Sequence, residues 1–404
     1  MNYYFILGRE NKISQKELES VLAGFDFGFS PKYTSILSDH VLEIKLDIGT
    51  DQIKKLIDIL GGTVKIFQKI TAGDENIADL LRRENFSGKL IFGLSNYTNS
   101  KIDVFKIALQ VKKSLKKSLR IIAGKDDDKL SSAQSFQYNM DGKNIEYGIF
   151  PGGVGKLIAV QNIDLWTEFD YGKPRSDAKS GMLPPKLARM MVNIAADQKS
   201  KFKNLDQSDK LDTRNCSDFV VVDPFCGSGN ILLQALALGC DIIGSDISEK
   251  AVADTKANIS WQTQNSKFKT QNCNLKFIIS REDATKFDFS KINQDFIIVS
   301  EPYLGRPRNA KLRIEEEAEA KKEISKLYLD FLSNLKLTAN SNNIKAICLV
   351  FPLFELANGK RISIFAEIVD FFFEIGYTSI YPPMEYGRDY QVVKREIVVL
   401  KVRS

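Results

Sequence analysis

The run Val220-Val221-Val222-Asp223-Pro224-Phe225-Cys226-Gly227-Ser228-Gly229-Asn230 ends an apolar strand in an acid and turns through glycine into a helix. Glycine there lets backbone N–H groups approach a ligand, and the Asp223 carboxylate can accept hydrogen bonds from that ligand or order the loop. The third glycine of a dinucleotide fingerprint is missing, because Leu232 holds its place, and no Gly-Lys-Ser/Thr follows as in a phosphate loop. The next strand ends Gly244-Ser245-Asp246, where an acid can bind ribose hydroxyls. Asp283, in Arg281-Glu282-Asp283-Ala284, follows a third strand, and a solvated loop charge is the competing explanation. A fourth strand ends Ile298-Val299-Ser300-Glu301-Pro302-Tyr303-Leu304-Gly305.

The first run resembles motif I of the class I methyltransferases, which bind S-adenosylmethionine. The resemblance implies that Asp223 faces the methionine amino group, with Phe225, Gly227 and Gly229 shaping the loop. It also implies that Asp246 meets the ribose and Asp283 the adenine amino group. Ser300-Glu301-Pro302-Tyr303 is similar to the (D/N/S)-P-P-(Y/F/W) motif of methyltransferases acting on exocyclic amino groups. A side-chain acceptor and a backbone carbonyl at such a turn can bind both hydrogens of the amino group and aim its lone pair at the methyl. The aromatic ring stacks on a base taken out of its helix. The sequence departs from that motif at two positions. Ser300 is a weaker acceptor than Asp, and Glu301 stands where a proline is usual. Ser300, Glu301, Pro302 and Tyr303 are the candidate catalytic residues, and a plain strand-end turn is the competing explanation.

Upstream, Asp170-Tyr171-Gly172-Lys173-Pro174-Arg175 and Gly181-Met182-Leu183-Pro184-Pro185-Lys186-Leu187-Ala188 resemble the segment before the catalytic domain of THUMP-containing tRNA guanine-N2 methyltransferases. Phe169 replaces an Arg of that pattern. The family likeness extends to enzymes of archaeal and eukaryotic type acting on guanosine at position ten. It implies S-adenosylmethionine as cofactor, tRNA as partner and no metal.

The elements that must position these residues follow from periodicity. Residues 1–70 read strand, helix, strand, helix, strand, an order typical of ferredoxin-like modules. Ser14 with Glu17 looks like a capping box opening the first helix. Residues 71–168 form a second α/β unit, to which the resemblance assigns a THUMP-like fold, with a long basic helix from Ile102 to Leu119. Residues 169–185 read as a linker rich in Gly, Pro and charge. Residues 186–404 alternate strands with helices, the signature of an open, doubly wound sheet. The fold class is therefore α/β, a Rossmann-like and mostly parallel sheet with an antiparallel strand, preceded by two α+β modules. Phe371-Phe372-Phe373 reads as core packing of a helix from Arg361 to Ile375.

Charge sharpens the choice of partner. The net charge is +6, yet residues 101–125 alone carry eight Lys/Arg against one Asp, so the excess sits on one segment. Lys106, Lys113, Lys117 and Arg120 recur at helical spacing, a face suited to RNA phosphates, although a solvated face shows the same pattern. Lys173 and Arg175 extend the basic track. A single histidine, His40, in a strand-like segment near the N-terminus, all but excludes His-based metal sites and Ser-His-Asp triads. Five cysteines without a CxxC pair argue against a disulfide framework or zinc site, and Cys226 has no base to activate it. No run approaches roughly 18 apolar residues, and the N-terminus lacks the pattern of a signal peptide. The expectation is a cytoplasmic monomer, with any small activator subunit left unidentified. Two other classes stay open: a DNA amino-methyltransferase of restriction type, and a non-catalytic RNA-binding protein that keeps the fold.

Overall fold

In the N-terminal unit, Met1–Asp164, short alternating apolar runs pair into one sheet. The computed structural model describes the chain except residues 26–28, 72, 74–75, 85, 87, 116–117, 125–127, 177–181, 197–218, 266, 269–274, 307–309, 389–390 and 403–404. In chain order the first elements are β1 (Asn2–Leu7), α1 (Asn11–Ala23), β2 (Thr34–Ser38), β3 (Val41–Lys45), α2 (Thr50–Ile59) and β4 (Thr63–Lys69). They make an antiparallel sheet ordered β2-β3-β1-β4, the split β-α-β arrangement of ferredoxin-like folds. β2 lies outside the expected element order. Its sequence, Thr-Ser-Ile-Leu-Ser, is barely apolar because it forms the sheet edge.

Ser14 does not cap α1. The helix begins at Asn11, and Ser14 lies buried within it. Glu17 is fully buried as well, and its two carboxylate oxygens accept from the Gly61 and Gly62 N–H groups at 2.7 and 2.8 Å. A long-range pairing thus replaces the local cap that the spacing suggested.

The sheet continues through α3 (Ile77–Arg83), β5 (Leu90–Asn96), α4 (Val104–Leu115), β6 (Leu119–Ile122), α5 (Ser132–Gln137), β7 (Ile145–Phe150) and β8 (Gly153–Val160). β8 pairs with β4, so strands from both sequence segments share one sheet, ordered β2-β3-β1-β4-β8-β7-β5-β6. The basic helix is shorter than expected. Its described residues are Val104–Leu115, and Leu119 and Arg120 lie in β6, paired in parallel with Leu90 and Ile91 of β5. The run Leu-Arg-Ile-Ile is apolar and partly β-branched, and pairing at the sheet edge outweighs its marginal helical fit.

α6 (Ile163–Thr167) leads into a π-helical turn over Glu168–Gly172 and then α7 (Pro185–Ala195). The second unit, Leu165–Ser404, centres on an open sheet. Its elements are β9 (Val220–Asp223), α8 (Asn230–Ala237), β10 (Asp241–Asp246), α9 (Glu249–Gln264), β11 (Phe277–Arg281), β12 (Phe296–Ser300), α10 (Glu317–Thr338) and β13 (Ile344–Glu355). They continue with β14 (Arg361–Ser363), α11 (Ile364–Glu374), β15 (Tyr377–Ser379), β16 (Met384–Tyr386) and β17 (Val393–Val402). The order is β11-β10-β9-β12-β13-β17-β15, parallel from β11 to β13, with β17 antiparallel to both its neighbours. This is the α/β class expected, a mostly parallel sheet carrying an antiparallel strand. The order reverses between β9 and β12, and open sheets bind ligands at the carboxyl ends of strands flanking such a reversal. Of the three adjacent phenylalanines in α11, Phe372 is buried whereas Phe373 is 57% exposed, as a rotation of 100° per residue requires. Among the described residues, no helix is long and apolar enough to cross a membrane.

Candidate active site at the carboxyl ends of β9, β10 and β12

β9 is buried along its length because helices cover both faces, so its sequence is a continuous apolar run ending in Asp223. The chain then turns through residues 224–229 into α8. Gly227 has φ +52° and Gly229 φ +87°, left-handed conformations that disfavour other residues. A Cβ on Gly229 would also come within 3.1 Å of Thr255. The loop is held from several sides. The Gly227 N–H donates to Asp246 Oδ2 at 2.9 Å, Thr255 Oγ1 donates to the Gly227 carbonyl at 2.8 Å, and Asn258 Nδ2 donates to the Ser228 carbonyl at 2.8 Å.

Asp223 is 1% exposed. Its Oδ1 accepts from Ser300 Oγ at 2.5 Å and from the Phe225 N–H at 3.2 Å. Burial raises its carboxyl to about 7; the Ser300 and Phe225 hydrogen bonds oppose the rise, and the negative charges of Asp246 and Glu301 add to it. Asp246 also accepts from the Ser248 N–H at 2.9 Å. Its carbonyl accepts from the Glu282 N–H at 3.1 Å, which sets the loop carrying Asp283 beside it. The Asp283 carboxylate closes a local turn, accepting from Thr285 Oγ1 at 2.7 Å and the Thr285 N–H at 3.0 Å, and the Thr285 hydroxyl keeps it below the ordinary carboxylate range. Phe225 packs edge-on against Phe331 of α10, ring centres 5.4 Å apart. Burial pushes the Cys226 thiol up, which suits a packing residue rather than a nucleophile.

Asp223, Asp246, Asp283 and the turn after β12 therefore share one rim. Within that turn the two departures from the motif look inward. The Ser300 hydroxyl is fully buried and donates to Asp223; the sequence had suggested it as an acceptor facing a substrate. Glu301 pairs with Arg395 of β17, Nε to Oε1 2.5 Å, and both side chains are largely buried. Burial raises the Glu301 carboxyl above its usual range against the pull of Arg395. Pro302 is buried and Tyr303 is 42% exposed.

The candidate RNA residues scatter. Lys106 and Lys113 lie exposed on α4, and Arg120 lies exposed on β6 with its guanidinium over the Tyr138 ring. Lys117 is outside the described residues. Lys173 is only 5% exposed: its ammonium is bound to Asn230 Oδ1 at the start of α8, and burial lowers its pKa. It braces the glycine loop instead of extending a surface track. Arg175 presents an exposed side chain, and its backbone N–H and carbonyl bind Asn258 at 2.9 Å each.

Several residues of the site carried no signal. Thr255 and Asn258 of α9 and Arg395 of β17 are polar residues in a helix or strand, and only folding brings them to the site. Arg189 of α7 is also buried, donating to Gln234 at 2.9 Å and lying over Trp166 and Phe169.

Residues 219–344 match the family model of RNA cap guanine-N2 methyltransferases. Over 147 residues the chain is 29% identical to a tRNA (guanine(10)-N2)-dimethyltransferase of Methanocaldococcus jannaschii, covering 36% of this chain and 35% of that protein. Over 79 residues it is 33% identical to the enzyme of the same name from Methanothermobacter thermautotrophicus, covering 20% and 18%. The chain thus spans about a third or less of the length of these curated relatives. Among solved structures it is similar to a predicted N6-adenine-specific DNA methylase from Listeria monocytogenes, at 12% identity and TM-score 0.42, covering 98% of this chain and 95% of that one. A SAM-dependent methyltransferase from Methanosarcina mazei aligns at 14% identity and TM-score 0.33, covering 46% and 94%.

Proposed function

We propose that this chain is a tRNA methyltransferase that moves a methyl group from S-adenosylmethionine to the exocyclic N2 of a guanosine. One observation carries the reading: Asp223, Asp246, Asp283 and the Ser300–Tyr303 turn meet on one rim beside a left-handed glycine loop. All of them lie within the 219–344 segment that matches guanine-N2 methyltransferases. The names of the curated relatives support tRNA as substrate.

The residues fit the cofactor. A buried acid at the strand end suits its ammonium group. Gly227 has open space where a Cβ would stand, so backbone and ligand can come close. When bound, the cofactor supplies an electrophilic methyl group on a sulfonium. Asp223 would hold the amino acid end, Asp246 the ribose, Asp283 the adenine, and Phe225 a loop wall. At the turn, Tyr303 would stack on the base and the backbone would orient the amino group, with the proton leaving through solvent near Ser300–Tyr303. The catalytic unit is assigned to residues 186–404, behind a linker at 169–185. We assign residues 1–70 to a ferredoxin-like module and 71–168 to a THUMP-like one. Lys106, Lys113, Arg120 and Arg175 would meet RNA phosphates in a monomer acting in the cytoplasm.

The test is methyl transfer from radiolabelled S-adenosylmethionine to unmodified tRNA transcript, followed by nucleoside mass spectrometry. N2-methylguanosine near the junction of acceptor stem and D-arm is the expected product, and the same spectrum counts the methyl groups. Transfer to duplex DNA instead would overturn the RNA reading. Cofactor and tRNA binding without transfer would favour a non-catalytic role, which the inward commitment of Ser300 and Glu301 makes a specific alternative.

A further inference from the structure

The departure at position 301 puts a carboxylate where the motif has a proline, and the structure shows what that carboxylate does. Glu301 follows the last residue of β12, which lies beside Leu349 of β13 in the parallel pair. Arg395 lies on β17, beside Pro352 of the same β13. The 2.5 Å ion pair therefore crosses β13 at the level of Leu349–Pro352 and ties the turn after β12 to a strand that is not its neighbour. Arg395 is 6% exposed. Tyr328 of α10, whose hydroxyl is held in its protonated form by burial and by the nearby Glu301 charge, is fully buried, donates to the Val350 carbonyl at 2.7 Å and stacks on Phe351.

A proline at 301 would restrict the turn covalently, by fixing its own φ and confining residue 300 to extended backbone. Glutamate imposes neither restraint. A buried carboxylate held by a buried guanidinium supplies the restraint through space, because leaving either charge unpaired there is costly. We propose that Arg395 is a positioning residue: through Glu301 it restrains the start of the 301–305 turn, the place where proline would otherwise act, and so fixes Tyr303 and the turn backbone against the acceptor ring. This rests on the reading of that turn as the acceptor site. It makes Glu301 a tether rather than the group that takes the acceptor's proton.

The experiment has two readouts on the full-length protein. One is kcat and KM for methyl transfer to tRNA, and the other is hydrogen exchange of the amides at 303–306, which every variant retains. Arg395→Leu should lower kcat at least tenfold, leave the dissociation constant for S-adenosylmethionine within about twofold, and raise exchange of the turn. That substitution also leaves Glu301 uncompensated, so two double variants separate the causes. Glu301→Gln with Arg395→Leu removes the charge without restoring the restraint and should stay as impaired. Glu301→Pro with Arg395→Leu supplies the restraint and should recover much of the lost kcat and the slow exchange. If Arg395→Leu changes neither readout, or the proline variant recovers neither, the proposal fails. It also fails if Glu301→Gln alone abolishes transfer while exchange stays slow, since Glu301 would then be the base. If the unsubstituted protein transfers no methyl group, the proposed function fails, and the exchange data alone still decide whether the pair holds the turn.

Discussion

Ser300 Oγ donates to Asp223 Oδ1 at 2.5 Å, so the acid that ends β9 is tied directly to the serine that ends β12. The two strands are neighbours, and the bond closes the gap where the sheet order reverses. A hydroxyl that donates to a carboxylate favours its charged form, against the burial that raises Asp223 to about 7.

A pH dependence of cofactor binding follows. Only ionised Asp223 attracts an ammonium group, and below pH 7 the ionised fraction in the free protein falls about tenfold per unit. The dissociation constant for S-adenosylmethionine should therefore fall as pH rises from 5.5 and level off above about 7. Ser300→Ala removes a donor to the charged form, so its plateau should begin at higher pH. Asp223→Asn should bind weakly with no such slope. Calorimetric titrations between pH 5.5 and 8.5 measure all three. A flat profile for the unsubstituted protein would mean that Asp223 does not face the ammonium group.

A second prediction concerns stability alone. Glu17 satisfies two buried backbone donors, Gly61 N–H and Gly62 N–H. Glu17→Ala strands both, and each unsatisfied buried donor costs about 1–3 kcal/mol. The expected loss is roughly 2–4 kcal/mol, read as a lower denaturant midpoint for the N-terminal unit. A helix cap, as the Ser14–Glu17 spacing suggests, would lose only about 1 kcal/mol.

These residues show what a sequence can and cannot disclose. β9, β10, β12, β13 and β17 are legible because strands covered on both faces read as apolar runs, and the glycine loop because its conformation restricts residue type. β2 is obscure because an edge strand needs little apolar surface. Arg120 is misplaced because Leu119–Ile122 fits a helix and a strand comparably, and pairing with β5 decides between them. The pairings Ser300–Asp223 and Glu301–Arg395 join positions 77 and 94 residues apart, and no local pattern announces them. Lys173 looks like part of a basic track because burial cannot be read from a charge.

Electrostatics separates that last pair of roles. Lys106→Glu with Lys113→Glu should weaken tRNA binding and reduce the salt slope of the association constant by about one for each phosphate no longer neutralised. Lys173→Met should leave that slope unchanged and instead weaken cofactor binding, since it removes the brace on Asn230 at the start of α8. Filter binding over a salt series, paired with cofactor titration, distinguishes the two. An unchanged slope for the α4 reversals would make that helix a solvated face.

A buried ion pair in the N-terminal unit gives a last prediction. Lys65 of β4 is 1% exposed and Glu146 of β7 is fully buried. The Lys65 ammonium bonds Glu146 Oε1 and the Leu130 carbonyl, each at 2.7 Å. Ser95 and Ser135 donate to the same carboxylate at 2.7 and 2.5 Å. The pair therefore joins β4 to β7 across β8, and burial pulls the lysine pKa down against the attraction of Glu146. Removing one member of a buried pair strands the other charge and costs about 3–5 kcal/mol, whereas removing both charges costs far less. Lys65→Met should thus destabilise the unit by that amount, and adding Glu146→Gln should return part of it. Because the chain has two units and its whole-chain transition need not be two-state, hydrogen exchange of the β4 and β7 amides is the appropriate measurement. Equal protection in the single and double variants would mean that Ser95 and Ser135 satisfy the carboxylate unaided.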